Sequence, residues 1–218
     1  MVITAFIAVI TAYLIGSINF AVIYAKLFLK KDVREMGSGN AGATNVLRNA
    51  GFLPGLLTFV CDALKGFVAV FIGKLIFQYI FDTTAAVWAM SEYGAYICGV
   101  ACMIGHIFPI FFQFKGGKGV ATSVGIYAVC SPIAIISGLV VFATVTLISR
   151  MVSLGSLIAT VVVVTISIIT TVASDSAALV LPQIILSMLM GAIVIIKHKE
   201  NIKRLLAGTE SKIGSRGK

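Results

Sequence analysis

A glycine-rich segment at residues 37–45 has the composition of an anion-binding loop. Glycines let a backbone fold so that several N–H groups point at one anion, and hydroxyl and amide side chains add neutral donors. Arg48 follows the segment, and its planar guanidinium would complete a clamp on a phosphate group. A flexible connection between two helices would use the same turn-forming residues, so the segment alone leaves both interpretations open. The candidate phosphate ligands are Gly37, Gly39, Gly42, Thr44, Asn45 and Arg48, with Ser38 and Asn40 as further donors.

The second candidate is the sequence KGGKG at residues 115–119. Its two ammonium groups and flexible backbone would form an anion nest, and the predicted helix after it would add the positive end of its dipole. The spacing differs from that of a nucleotide-binding P-loop. A basic membrane anchor with a glycine turn is the alternative, and the segment alone supports it equally well. The candidate ligands here are Lys115, Gly116, Gly117 and Lys118.

The chain has two histidines, and both are candidates for proton transfer. His106 lies one or two turns inside an apolar run, where an ionisable group suggests a function, although a hydrogen-bonded packing role is more common. His198 and Asn201 are three residues apart, so a helix would place them on one face. A solvated basic tail is the alternative for that pair. Ser153 lies just past Arg150 at a predicted helix start, as an N-cap or an anion ligand.

A carboxylate-assisted histidine base finds no support in the local sequence. The histidines are followed five residues later by Phe111 and Lys203, so neither has the acid of an HxxxxD motif. A Ser-His-Asp triad is not indicated either, because it also requires an acid near the histidine. Asp62 and Lys65 are three residues apart in an apolar run, and we predict that they pair with each other. The four cysteines have no CxxC spacing, and we predict neither a disulfide nor a metal site or cofactor.

The composition places these residues in a membrane protein. The chain of 218 residues is 59% hydrophobic and only 11% charged, with a mean hydropathy of +1.07. A soluble domain is usually about 25% charged, so lipid must cover much of this surface. The net charge of +9 fits basic residues that face anionic lipid on the cytoplasmic side. We therefore predict membrane lipid, and no nucleic acid, as a partner of a single polytopic domain over residues 1–218.

Apolar runs predict an all-α protein with seven transmembrane helices. The predicted spans are about 2–25, 54–81, 93–114, 120–149 as two crossings, 154–173 and 183–196. The first span begins at the N-terminus without a basic flank, so we predict an uncleaved helix. The tail from Lys197 to Glu210 predicts a short amphipathic helix along the headgroups.

The run at 120–149 decides the topology. As one helix its 30 residues would measure about 45 Å, against a hydrocarbon core of about 30 Å. A turn near Ser131 and Pro132 lets the run cross twice, and all basic clusters then share one face, as the positive-inside rule requires. This arrangement puts the N-terminus outside and the C-terminus in the cytoplasm. The same topology predicts three cytoplasmic loops, at about 26–53, 113–122 and 197–218.

Together, these segments resemble the three motifs of the bacterial PlsY family of glycerol-3-phosphate acyltransferases. The motifs are GSGNAGATN with Arg48, GHIFPIFFQFKGGKGVAT, and KHKENIKRL with Gly208 and Glu210. The resemblance also takes in LIGSINF, DALKG and VSL, and so covers nearly the whole chain. It implies a seven-helix enzyme of the bacterial cytoplasmic (inner) membrane that uses acyl phosphate, not acyl-CoA, to make lysophosphatidic acid. An acyl-phosphate synthase would act upstream.

The resemblance also implies roles for individual residues. Catalytic roles fall on Ser38, Asn40, His106 and His198, and substrate-binding roles on Arg48, Lys115, Lys118, Ser153 and Asn201. We expect the phosphate of glycerol 3-phosphate on Arg48, Lys115, Ser153 and Asn201, and the acyl phosphate on the glycine-rich loop. The base is either the substrate's own phosphate or His198. A transporter or channel for a phosphorylated anion is the rival, but the polar groups crowd one face instead of lining a path.

Overall fold

The computed structural model describes residues 2–81, 87–174 and 177–214. These residues form α-helices and two 3-10 turns and contain no β-strand. The predicted all-α class is confirmed. The chain folds as two compact units, Met1–Cys130 and Ser131–Lys218. The described residues leave out Asp82, Asp175 and Ser176, which lie between predicted spans.

Unit 1 contains both glycine-rich loops. Its helices are α1 (Val2–Gly16), α2 (Phe20–Leu29), α3 (Ala43–Ala50), α4 (Phe52–Ile80), α5 (Val87–Ile107) and α6 (Val120–Cys130), with 3-10 turns at Val33–Glu35 and Ile110–Phe112. α3 lies inside the segment that the sequence treated as a loop. α5 ends seven residues before the predicted end of its span at 114, because Pro109 cannot continue a helix.

The first predicted span is wrong in one respect, since the helix is interrupted at Ser17–Asn19. Asn19 caps α2 by accepting a hydrogen bond from the Val22 N–H at 3.2 Å. Asparagine and serine side chains compete with the backbone for hydrogen bonds, which explains why the helix breaks here. The main-chain oxygen of Ile18 accepts a 2.6 Å hydrogen bond from the Lys65 ammonium. That bond satisfies a carbonyl group that lipid would leave unpaired.

Small residues let the long helices of unit 1 approach closely. A Cβ atom at Gly16 would overlap the main chain of Cys102, and one at Gly105 would overlap that of Tyr13, so α1 and α5 nearly touch. Gly125 approaches the Ala63 carbonyl in the same way, which fixes α6 against α4. Close contact through glycine is a common device for joining helices in membranes.

Unit 2 contains α7 (Pro132–Ser149), α8 (Val152–Val172), α9 (Ala177–Lys197) and α10 (Lys199–Leu206). The predicted interruption of the run is confirmed, because α6 ends at Cys130 and α7 begins at Pro132, where the missing N–H of proline costs nothing. The two separate crossings stay a prediction. The predicted amphipathic tail helix is α10. α9 starts earlier than the predicted residue 183 and includes Pro182 near its beginning.

Six segments of the described residues are long and apolar enough to cross a membrane. They are Val2–Leu29, Phe52–Ile80, Met90–Phe112, Pro132–Ser149, Val152–Val172 and Ala178–Lys197. α6 is also apolar but has only 11 residues. The described chain is therefore a helical membrane protein with six candidate spans and one shorter apolar helix.

Candidate active site

Asn45 organises the glycine-rich loop from inside. Its side-chain nitrogen donates hydrogen bonds to the carbonyl groups of Val33 and Met36, both at 2.9 Å, and of Asn40 at 3.1 Å. Its side-chain oxygen accepts a hydrogen bond from the Ser38 N–H at 3.2 Å. The Asn45 amide, predicted as a substrate ligand, is thus buried and holds the loop in shape.

The loop needs glycine at position 37. Gly37 has a φ of +54°, and a Cβ atom there would lie 2.5 Å from Oδ1 of Asn45. Three N–H groups of the loop, those of Ser38, Gly39 and Gly42, donate hydrogen bonds within residues 36–45. The prediction that such N–H groups converge on one anion is wrong for these three.

The side chains at the rim of this loop face outward. Ser38 is exposed, and the side chains of Ser38 and Asn40 form no hydrogen bond with the rest of the described chain. Arg48 is exposed in the last turn of α3. Thr44 is half-buried in the first turn of that helix. The rim therefore carries a hydroxyl, an amide and a guanidinium group.

The lysine-glycine loop (residues 115–119) folds back onto the end of α5. The N–H groups of Gly116 and Gly117 donate hydrogen bonds to the carbonyl groups of Ile107 and His106, both at 3.2 Å. These two N–H groups are therefore not available to an anion, contrary to the predicted nest. Lys115 is exposed at the loop's tip, and Lys118 is half-buried.

The two loops of unit 1 meet each other. A Cβ atom at Gly117 would lie 2.7 Å from the carbonyl oxygen of Ala41, so the main chains are in contact there. Arg34 donates a 2.8 Å hydrogen bond to the Phe112 carbonyl and forms an ion pair with Asp32, also at 2.8 Å. The hydrogen bond from Arg34 lowers the pKa of Asp32, so this brace stays charged at neutral pH. No motif in the sequence indicates this contact between Arg34 and Phe112.

A buried ionic cluster lies beneath the lysine-glycine loop. The predicted pair of Asp62 and Lys65 is confirmed at 2.8 Å. Nδ1 of His106 lies 3.6 Å from Oδ1 of Asp62. The acid of an HxxxxD motif is absent from the sequence, but Asp62 of another helix lies near this histidine.

Glu210 is the centre of a second polar cluster, in unit 2. Its Oε1 atom accepts hydrogen bonds from the Ser153 hydroxyl and the Asn201 amide, both at 2.8 Å. Its Oε2 atom pairs with Arg204 at 2.8 Å. The predicted N-cap role of Ser153 is wrong, because Met151 is the N-cap of α8. Ser153 and Asn201 are brought together, as neutral donors around one carboxylate.

His198 lies at the junction of α9 and α10, not within a continuous helix. It is the N-cap residue of α10, and its Nδ1 atom lies 2.8 Å from the carbonyl oxygen of Val194. The Ile202 N–H still donates a helical hydrogen bond to the His198 carbonyl at 2.8 Å, and His198 and Asn201 are both buried. The helix face predicted for this pair stays a prediction. Because a carbonyl oxygen only accepts, Nδ1 carries the proton in this contact, and the lone pair of the ring in its neutral form is then on Nε2.

We expect the substitution Glu210→Gln to lower the thermal midpoint of unfolding at pH 7 by about 5 °C. Burial raises the pKa of Glu210, but the hydrogen bonds from Asn201, Ser153 and Arg204 outweigh it and lower the pKa. Because the pKa of Glu210 is lower in the folded than in the unfolded protein, its carboxylate stabilises the fold at pH values above the unfolded-state pKa. This stabilisation is lost as the pH falls through the folded-state pKa. The thermal midpoints of the parent protein and of Glu210→Gln should therefore converge at acidic pH. Thermal unfolding in detergent between pH 3.5 and 7.5 measures this.

Glu200→Gln is the matched control, since Glu200 is exposed and pairs only loosely with Lys203 at 3.4 Å. Its midpoint should follow the parent protein at every pH. A Glu210→Gln protein with the parent's midpoint at pH 7 would contradict the assigned role of this carboxylate, and so would a difference that persists unchanged in acid.

Comparison with known proteins identifies the family. A family model described as glycerol-3-phosphate acyltransferase matches residues 6–208. A glycerol-3-phosphate acyltransferase of Thermoanaerobacter pseudethanolicus is 42% identical over 97% of both chains. Glycerol-3-phosphate acyltransferase 2 of Bacillus anthracis is 40% identical over 94% of this chain and 96% of its own.

Solved structures agree with the sequence matches. The chain is similar to crystal structures of PlsY (YgiH), an integral membrane glycerol 3-phosphate acyltransferase, at 38% identity. The glycerol 3-phosphate form gives a TM-score of 0.79 and covers 96% of both chains. The lysophosphatidic acid form gives a TM-score of 0.76, covering 96% of this chain and 95% of that one. The protein with these two loops therefore belongs to the glycerol-3-phosphate acyltransferase family.

Proposed function

We propose that this acyltransferase moves a fatty acyl group from acyl phosphate to glycerol 3-phosphate and releases lysophosphatidic acid and inorganic phosphate. The observation that carries the proposal is the meeting of the two glycine-rich loops at Ala41 and Gly117. The junction joins the loop that carries Ser38 and Asn40 and leads into α3, the helix of Arg48, to the loop that carries Lys115. This is a suitable surface for two phosphorylated substrates.

The reaction requires little covalent catalysis by the protein. An oxygen of the glycerol hydroxyl attacks the acyl carbonyl carbon, the bond from that carbon to the phosphate oxygen breaks, and phosphate leaves with the electron pair. Acyl phosphate is a mixed anhydride with a good leaving group, so positioning and stabilisation of the developing oxyanion supply much of the rate enhancement.

Arg48 and Lys115 are proposed to bind the phosphate of glycerol 3-phosphate. Ser38 and Asn40 are proposed to hold the acyl phosphate and its carbonyl oxygen. In unit 2, Asn201 is proposed as a neutral donor to a phosphate group through its second amide hydrogen. Ser153 is proposed as a second donor, which requires its one hydroxyl proton to turn from Glu210 to the phosphate. These roles follow from the residue chemistry and from the resemblance of the motifs to the PlsY family.

The proton of the attacking hydroxyl has two proposed acceptors. One is the substrate's own phosphate, whose second pKa is about 6. The other is His198, whose bond to Val194 leaves the lone pair on Nε2 of the neutral ring. That tautomer is the one a general base on this ring would need.

We further propose seven crossings of the bacterial inner membrane, with the N-terminus outside and the loops of the candidate site in the cytoplasm. α6 would be the seventh crossing, although its 11 residues measure about 16 Å. Charge supports this count, because Lys115, Lys118 and Arg150 share one side only if α6 and α7 each cross. A C-terminal reporter that is active only in the cytoplasm tests the orientation.

Product formation by the purified protein tests the donor. We expect lysophosphatidic acid from labelled glycerol 3-phosphate and palmitoyl phosphate, and at least about 100-fold less from palmitoyl-CoA. Product from the CoA ester at an equal rate would overturn the donor assignment. No product from either donor, with folded protein, would favour the transporter alternative, which flux into liposomes measures. Activity with acyl phosphate would place an acyl-phosphate-forming enzyme upstream.

A further inference from the structure

The ionic cluster of Asp62, Lys65 and His106 is too deeply buried to be a solvated anchor. The three residues are 1%, 4% and 4% exposed, and they lie on α4 and α5 within membrane-spanning segments. Charged groups at such depth are expensive and usually serve a function. Buried ion pairs contribute little net stability compared with apolar residues of the same size. Stability alone therefore does not account for this cluster.

His106 connects the cluster to the lysine-glycine loop. On one side its Nδ1 atom faces Asp62 at 3.6 Å. On the other side a Cβ atom at Gly117 would overlap its Nε2 atom, so the imidazole is in contact with the loop backbone. The carbonyl group of His106 also accepts the N–H of Gly117 at 3.2 Å. The ring is thus enclosed between a carboxylate and the loop.

Lys65 fixes the other end of the same cluster. It pairs with Asp62 at 2.8 Å and donates a 2.6 Å hydrogen bond to the Ile18 carbonyl in the break between α1 and α2. A change in the charge or position of the Asp62 carboxylate would therefore alter the position of the His106 ring. The ring in turn contacts Gly117. Coupling through such a chain of contacts requires no contact between Asp62 and a substrate.

We propose that Asp62 is a positioning residue for the lysine-glycine loop, and that it acts through His106. The carboxylate fixes the imidazole, the imidazole supports Gly117, and the supported loop presents Lys115 to the substrate phosphate. His106 thereby has a positioning role instead of the catalytic role expected from the sequence. The inference rests on the proposed function, since it assumes that Lys115 binds glycerol 3-phosphate.

Steady-state kinetics of Asp62→Asn in the full-length purified protein test the proposal. The change keeps the size of the side chain and removes its charge. We expect the KM for glycerol 3-phosphate to rise about tenfold or more, with a much smaller change in the KM for palmitoyl phosphate. A merely structural role would lower the thermal midpoint and leave the KM of the folded protein unchanged. That result would overturn the proposal.

Glu92→Gln is the matched control. Glu92 forms an ion pair with Lys74, so it also joins α4 to α5. Lys74 is nine residues from Lys65, or about 13 Å along the helix, and away from the loop. The control should leave the KM for glycerol 3-phosphate at the parent value. A rise equal to that of Asp62→Asn would overturn the proposal, because any ion pair between these helices would then have the same effect.

His106→Gln keeps the proposal testable if Asp62→Asn does not fold, because it leaves the pair of Asp62 and Lys65 intact. We expect the same rise in KM, and no further rise when the two changes are combined, since both interrupt one chain of contacts. Multiplied effects in the double variant would overturn the proposal. An inactive parent protein would contradict the proposed function, whereas an active parent with unchanged KM in these variants contradicts only the positioning role.

Discussion

Replacing Arg48 or Lys115 with alanine should each reduce the formation of lysophosphatidic acid by at least about 100-fold. Each side chain is exposed in unit 1, and each substitution would remove the proposed charge-assisted contact to the substrate phosphate. Because neither is buried, folding and membrane insertion should be unchanged. Product formation by purified protein, together with its thermal midpoint and gel-filtration profile, measures both effects.

Lys31→Ala is the control for loss of a cation. Lys31 is exposed in the connection between α2 and α3, and no phosphate contact is proposed for it. Its activity should stay near that of the parent protein. Arg48→Lys separates charge from shape, because lysine keeps the charge without the planar fork. Near-normal activity of the folded Arg48→Ala or Lys115→Ala protein would contradict the proposed phosphate site.

Gly116→Ala should reduce kcat/KM for glycerol 3-phosphate by about 100-fold, since a displacement near 1 Å can cost that much in rate. The added Cβ would overlap the carbonyl oxygen of His106 and lie 2.8 Å from that of Ile107. Both obstacles are main-chain atoms of α5, which cannot rotate away. The loop must therefore move, and Lys115 moves with it. Initial rates at varied glycerol 3-phosphate concentration measure the loss.

Gly99→Ala is the matched control within α5. A Cβ atom at Gly99 meets only side-chain atoms, Cγ2 of Ile126 at 3.0 Å and Cγ2 of Val70 at 3.2 Å. Side chains can yield by a few tenths of an ångström, so this protein should keep most of its activity. If Gly116→Ala were as active as Gly99→Ala, the contact between the loop and α5 would be unimportant for substrate binding.

Features governed by short-range chemistry were predictable from the sequence. The helix break at Ser131 and Pro132 follows from the length of a hydrocarbon core and the position of basic residues. The pairing of Asp62 and Lys65 follows from their spacing on one helix. The glycine-rich loops were found as segments, because their composition is unusual for a membrane protein.

Contacts between distant parts of the chain were not predictable in the same way. His106 meets Asp62 because α4 and α5 pack closely, and no spacing along the sequence encodes that distance. Glu210 lies 57 residues from Ser153, and only its place in the third motif drew attention to it. The inward direction of the Asn45 side chain depends on how the loop closes, which composition does not determine.

The break at Ser17–Asn19 has a consequence for how the protein enters the bilayer. The open carbonyl of Ile18 and the ammonium of Lys65 satisfy each other at 2.6 Å, and either one exposed alone to hydrocarbon would cost several kcal/mol. The segment containing α1 and α2 would therefore be unstable in lipid without α4. We expect this segment and α4 to enter the bilayer together. The hydrogen bond between Lys65 and the Ile18 carbonyl would then form before either group contacts the lipid acyl chains.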